Sequence, residues 1–209
     1  MPHILHLDAS ARPGLAGKDL HGSHSRHLSQ HFVGQWRARR PQDSLTYRDI
    51  GQTPPSIINH DWIASSFTPK AQREPWMHTT LIESDQLVDE LIAADVLVIG
   101  APLYNFGIPS TLKAYFDHIA RAGVTFRYTA AGAEGLVKGK QVLVGSNADG
   151  NFEIFLARRG AGGGDRCTAR ARARRRYILG ACVLWFVAGR RLCGGTVRAA
   201  LPPPVKRSH

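Results

Sequence analysis

Two groups of residues in this 209-residue chain have types and spacing that suit chemistry. The first is Leu103-Tyr104-Asn105-Phe106-Gly107, which follows the apolar run Val96-Leu97-Val98-Ile99 and the stop Gly100-Ala101-Pro102. Two rings offer stacking faces and the amide between them both donates and accepts hydrogen bonds, a set that suits a flat heteroaromatic ligand. The second is Ser10, just after the run His3–Leu7, with Ser23-His24-Ser25 at the opening of an amphipathic stretch. Serine hydroxyls at a helix start can simply cap the free N–H groups of the first turn. The same N–H groups, with the positive end of the helix dipole, also bind phosphate. Strand, loop and helix in that order, with an aromatic loop after a later strand, turn the reading toward phosphate. No side chain presents itself as an acid or base. His24 and His118 read as isolated surface histidines, outside any ligand cluster.

The elements that must position these residues follow from period and punctuation. His3–Leu7 is the first strand, and a helix runs from Ser23 to about Arg39 with Leu28, Phe32 and Trp36 on one face. Ser44–Asp49 alternates as a second strand. Gly51 to about Trp76 is rich in Pro, Ser and His, a long loop that reads equally as a flap near the site or a surface segment pinned by aromatics. Thr79–Ala94 has helical spacing. Val96–Ile99, short and β-branched, is a strand buried on both faces. Pro109 opens a helix over Ser110–Arg121, and Gly139–Ser146 is a further strand, leading into Ser146-Asn147-Ala148-Asp149-Gly150. Strands alternating with helices make an α/β chain of parallel units, whose ligand crevice lies outside the carboxyl ends of the strands.

The net charge of +11 invites a nucleic-acid or membrane partner until it is located. Residues 1–150 carry 14 Lys+Arg against 14 Asp+Glu, and residues 151–209 carry 13 against 2. The excess therefore belongs to the tail, as do Cys167, Cys182 and Cys193, whose wide spacing fits neither a CxxC metal site nor a disulfide framework. No run approaches the roughly 18–20 apolar residues that span a membrane. The start of the chain lacks a signal-peptide pattern, and the first part is expected to be cytoplasmic, with no metal and no nucleic acid.

Ala101-Pro102-Leu103-Tyr104-Asn105-Phe106, the helix from Pro109 to Ala122, Arg121-Ala122-Gly123-Val124-Thr125-Phe126-Arg127-Tyr128-Thr129 and Glu134-Gly135-Leu136 closely resemble the FMN-dependent NADH-azoreductases, also called FMN-dependent NADH:quinone oxidoreductases. The resemblance covers roughly residues 2–150. It implies a flavodoxin-like open parallel sheet of strand order 2-1-3-4-5, with noncovalent FMN at the switch between strands one and three. It places the FMN phosphate on Ser10, Ser23, His24 and Ser25, and the flavin ring against Pro102, Leu103, Tyr104, Asn105 and Phe106. Ser146, Asn147 and Gly150 take the remaining ring contacts. Phe126-Arg127-Tyr128 would lie over the flavin or at a dimer contact. The implied activity is a ping-pong hydride transfer from NADH through FMN to a quinone or an azo compound, in a homodimer. The rivals are a flavodoxin-type electron carrier and an inactive truncated paralogue.

The tail, residues 151–209, does not continue the resemblance. Arg158–Gly164, the run TARARARRR over Thr168–Arg176 and LPPPV over Leu201–Val205 have no amphipathic period. Arg, Ala, Gly and Pro have G+C-rich codons, so a shift of reading frame near Asn151–Glu153 is expected. A basic arm for nucleic acid or anionic lipid is the alternative.

Overall fold

The computed structural model describes residues 1–130, 132–148 and 151–157, with the backbone path alone at 147, 148 and 151–157. In chain order the elements are β1 (His3–Asp8), α1 (His24–Arg39), β2 (Ser44–Asp49), α2 (His60–Phe67) and, after a single turn of 3₁₀ helix at Lys70–Gln72, α3 (Pro75–Ala93). β3 (Val96–Pro102), α4 (Ser110–Ile119), β4 (Phe126–Thr129), β5 (Gly132–Gly135), β6 (Gln141–Ala148) and β7 (Asn151–Ala157) follow. The main sheet has the order β2-β1-β3-β6-β7. β2, β1, β3 and β6 are parallel, so the expected 2-1-3-4 arrangement holds. The fifth place is filled by β7, which runs antiparallel to β6.

Alternation along the strands divides the core in two. Leu5, Leu7, Leu97 and Ile99 face α3 and α4, where they meet Leu87, Leu91, Leu112, Tyr115, Phe116 and Ile119. Ile4, Val96, Val98 and Leu143 face the other way, against Val33 of α1 with Phe32 and Trp36 alongside. This is the period of two that buries both faces of a parallel strand. The same alternation puts His6 and Asp8 on the α1 side, both buried. Gly100 lets α1 approach: a Cβ there would sit 2.3 Å from Asp8 Oδ1 and 2.9 Å from Ser29 Oγ.

Two expectations are corrected. The segment after Gly51 is not one long loop, because α2 and the 3₁₀ turn form within it and Trp62 is buried. Asn59 caps α2 by accepting the Trp62 backbone N–H at 2.9 Å. His118 is not a surface residue but 1% exposed. Its Nε2 is 2.9 Å from the Ser56 carbonyl oxygen, and Trp62 packs edge-on against its ring at 5.8 Å. The α2 helix packs chiefly against α3, and Trp62 and the Ser56 segment together cover His118. His24 is exposed, as expected. A two-stranded antiparallel hairpin, β4–β5, follows α4. Its Phe126 is buried, its Tyr128 is exposed and its Arg127 pairs with Glu134. No described helix is long and apolar enough to cross a membrane. Residues 158–209 lie outside the described residues.

Candidate functional site

The carboxyl ends of β1 and β3 bring two of the sequence-predicted segments together. Ser10 leaves the end of β1, and the Tyr104 hydroxyl reaches across to it, 3.4 Å from Ser10 Oγ and 3.1 Å from the backbone N–H of Ala11, which donates to it. Ser10 Oγ also accepts the Arg12 N–H at 3.2 Å. The loop before α1 folds back on itself, Ser23 N–H donating to the Gly14 carbonyl at 2.7 Å. Ser23 is the N-cap of α1, its hydroxyl accepting the Arg26 N–H at 3.3 Å, and Ser25 Oγ lies 3.1 Å from Ser23 Oγ. Capping and phosphate binding are thus compatible here: one hydroxyl caps while its neighbour and the other first-turn N–H groups remain at the helix start. Ser10, Ser23 and Ser25 are buried, and His24 is exposed.

The loop after β3 is a tight turn. Tyr104 and Gly107 exchange both backbone hydrogen bonds at 2.9 Å. The two central residues, Asn105 and Phe106, hold φ of +48° and +64°. That is a type I′ turn, built mostly from Asn and Gly elsewhere because side chains resist positive φ. Phe106 is therefore strained, and its ring is 95% exposed. Strained backbone of this kind clusters at ligand clamps and switch regions. Pro102 and Leu103, which lead into the turn, are half-buried. Register carries β6 into the same place, with Ser146 beside Ala101 and Asn147 beside Pro102. Gly150 lies outside the described residues.

Sequence reasoning missed the layer beneath the serines. Arg26, in the first turn of α1, is 1% exposed. Its guanidinium donates to both Asp49 carboxylate oxygens at 2.5 and 2.7 Å and to the Tyr47 hydroxyl at 3.0 Å. It also donates to the Ser10 carbonyl and the Arg12 carbonyl, each at 2.7 Å. Asp8, fully buried, lies 3.6 Å from it and accepts from Ser29 and Tyr47. Burial by itself would lower the Arg26 pKa, but the hydrogen bond to Asp49 and the charges of Asp8 and Asp49 outweigh it and raise it. Burial likewise pushes the Asp49 carboxyl up, and the Arg26 hydrogen bond and charge overcome that and hold it below its usual value. The available signal was a cation in the first turn, where the helix dipole disfavours one. An open cavity of about 520 Å³ lies alongside, lined by Ala11–Gly14 and Asp19–His21.

Comparison with known proteins bears on the fold and the family. The model for the Flavodoxin_2 family, described as a flavodoxin-like fold, matches residues 2–168. A protein named FMN-dependent NADH:quinone oxidoreductase from Nostoc punctiforme is 44% identical over 152 residues, 73% of this chain and 71% of that one. A second of that name, numbered 2, from Idiomarina loihiensis is 39% identical over 167 residues, covering 78% and 70%. Among solved structures, an azoreductase from Bacillus anthracis superposes with a TM-score of 0.58 at 28% identity, over 68% of this chain and 66% of that one. The matches thus leave roughly a third of those proteins' length unaccounted for. Flavodoxin-like in its sheet, matched by the family model over residues 2–168 and 44% and 39% identical to these two oxidoreductases, the chain belongs to the FMN-dependent NADH:quinone oxidoreductase family.

Proposed function

We propose that this chain is an FMN-dependent NADH:quinone oxidoreductase that also reductively cleaves azo compounds. The observation that carries the reading is the junction of Ser10 and Tyr104 at the switch point, beside a Ser23-capped helix start. When bound, FMN supplies a two-electron ping-pong exchange, taking a hydride from NADH and passing the electrons to a quinone or azo compound. The chain's part is to bind and orient. Ser10, Ser23 and Ser25 with the α1 N-terminus hold the phosphate, and Asn105 meets the polar edge of the ring. Tyr104 and Phe106 pack at its faces, with Ser146, Asn147 and Gly150 completing the rim. His24 flanks the phosphate. No side chain is needed as an acid or base. The protein acts in the cytoplasm as a homodimer built from an FMN domain over residues 1–150, followed by the atypical tail.

The test is steady-state NADH oxidation with a soluble quinone, with and without added FMN. Turnover that needs all three components supports the reading, and FMN-independent or absent turnover by folded protein defeats it. A second reading is that the chain binds FMN but does not turn over. It is favoured by β7, which fills the fifth place antiparallel. Tight FMN binding with no quinone reduction would select it.

A further inference from the structure

We infer that Arg26, locked by Asp49, is the positioning residue that assembles the phosphate end of the flavin site. The inference rests on the FMN reading above. The site has two halves that come from different elements: the turn after β1, carrying Ser10, and the capped start of α1, carrying Ser23 and Ser25. Arg26 is bonded to both. Its backbone N–H donates to Ser23 Oγ, and its side chain donates to the carbonyls of Ser10 and Arg12. With those carbonyls held toward Arg26, the amides of the same turn meet hydroxyls instead, Ala11 N–H to Tyr104 and Arg12 N–H to Ser10.

A direct role in binding phosphate is excluded by its occupancy. Guanidinium has five N–H donors, and they are spent on Asp49, Tyr47, Ser10 and Arg12. Its charge faces the buried Asp8 and the half-buried Asp49, not a ligand. A buried arginine is tolerated only where partners compensate it, and this one is bonded on every side. Asp49 completes the device. It grips Arg26 bidentately and also accepts the Gln52 N–H at 3.1 Å, fixing the turn that follows β2. Gln52 in turn donates to the Ala11 carbonyl at 3.0 Å. Gly51 sits so close to Ser10 that a Cβ there would lie 2.1 Å from its carbonyl oxygen. The turn after β2 thus supports the turn after β1, through Arg26 and Asp49.

A positioning role differs from a general structural one in what it discriminates. FMN and riboflavin share the ring and the ribityl chain and differ by the phosphate, so the ratio of their affinities reports the phosphate end alone. The experiment titrates full-length wild type, Arg26→Lys and Asp49→Asn with each flavin, following fluorescence quenching, with circular dichroism to register folding. Lysine keeps the charge but loses the planar fork. Wild type is expected to favour FMN strongly. Both variants should lose about tenfold or more in FMN affinity while riboflavin changes little, so the ratio collapses. Should Arg26→Lys fail to fold, Asp49→Asn decides alone, since it keeps the shape of the side chain and removes the charge that locks the guanidinium, and with it the hold on the Ser10 and Arg12 carbonyls. A large wild-type ratio retained in a folded variant overturns the role of Arg26, as does an equal loss of both flavins. A wild-type ratio near one overturns the phosphate reading itself.

Discussion

Asn105 and Phe106 occupy the left-handed region without being glycine, and Phe106 gains nothing from the apo protein for doing so. The cost of a side chain there is about 1–2 kcal/mol, less for Asn. Phe106→Gly should therefore stabilise the flavin-free chain by up to about 1 kcal/mol, after subtracting the greater unfolded-state freedom of glycine. The same change should weaken FMN binding, because the ring is the part offered to the ligand. Urea unfolding of the apo protein and a flavin titration read the two effects separately; a destabilised variant with unchanged FMN affinity would sink this account of the turn. Tyr104→Phe should act differently, removing the hydroxyl that joins Ser10 and Ala11 and lowering FMN affinity with little effect on the turn. The residues proposed for this site divide by how local their cause is. Ser23 and Ser25 sit at a helix start and Tyr104-Asn105-Phe106 in a loop after a strand, so neighbouring residues were enough to propose them. Arg26 was not legible as a site residue, because Asp49, Tyr47 and Ser10 become its partners only when β1, β2 and α1 meet. His118 misled for the same reason, since its cover comes from a segment some 60 residues earlier.

Among the elements, those with a clear period were readable and those held by tertiary contact were not. Val96–Ile99 and Ser44–Asp49 carry the β-branched or alternating patterns of strands, and α1 starts at its serine cap. α2 has only 8 residues in a stretch rich in Pro and Ser. A helix that short does not hold alone, and packing of Trp62 against His118 supplies what its sequence cannot. The β4–β5 hairpin, with strands of four residues each, left too little alternation to recognise. The connection after β2 matters more to the site than its turn-like sequence suggests. Gly51→Ala should push on the Ser10 carbonyl, costing about 1–3 kcal/mol as an overpacked contact does. It should also loosen FMN without touching the flavin. Thermal unfolding and the FMN titration should move together; an alanine accepted without loss would mean the two turns are not coupled. Ser23→Ala should cost about 1 kcal/mol of stability through the lost cap.

For the molecule as a whole, the Arg26–Asp49 pair links stability to acid. Asp49 is held below its usual value in the folded protein. A depressed carboxyl contributes stability that is fully present above the unfolded-state pKa, about 3.9, and is lost as pH falls through the lower folded value. Asp49→Asn should therefore flatten the acid limb of the stability–pH profile below about pH 4 and leave its neutral plateau lower. A limb of unchanged slope in the variant would assign the acid loss to other carboxylates. The fold was legible through four parallel strands, and the antiparallel β7 was not, since it lies past the roughly 150 residues whose motifs could be read, although the family model runs on to residue 168. The strongly basic composition of 151–209 fits a shift of reading frame, and translating the coding DNA in its other frames should restore an acidic and apolar helical ending. Two frames without such an ending would leave the basic arm as the explanation.

An FMN titration of the purified, folded, full-length chain, followed by flavin fluorescence, tests the central claim most directly. Saturable binding at a single site is expected, because the switch point between β1 and β3 is assembled from mutually bonded residues, with Ser10 and Arg26 buried and Tyr104 reaching across to Ser10. Folded protein that leaves flavin fluorescence unchanged at every concentration would contradict it.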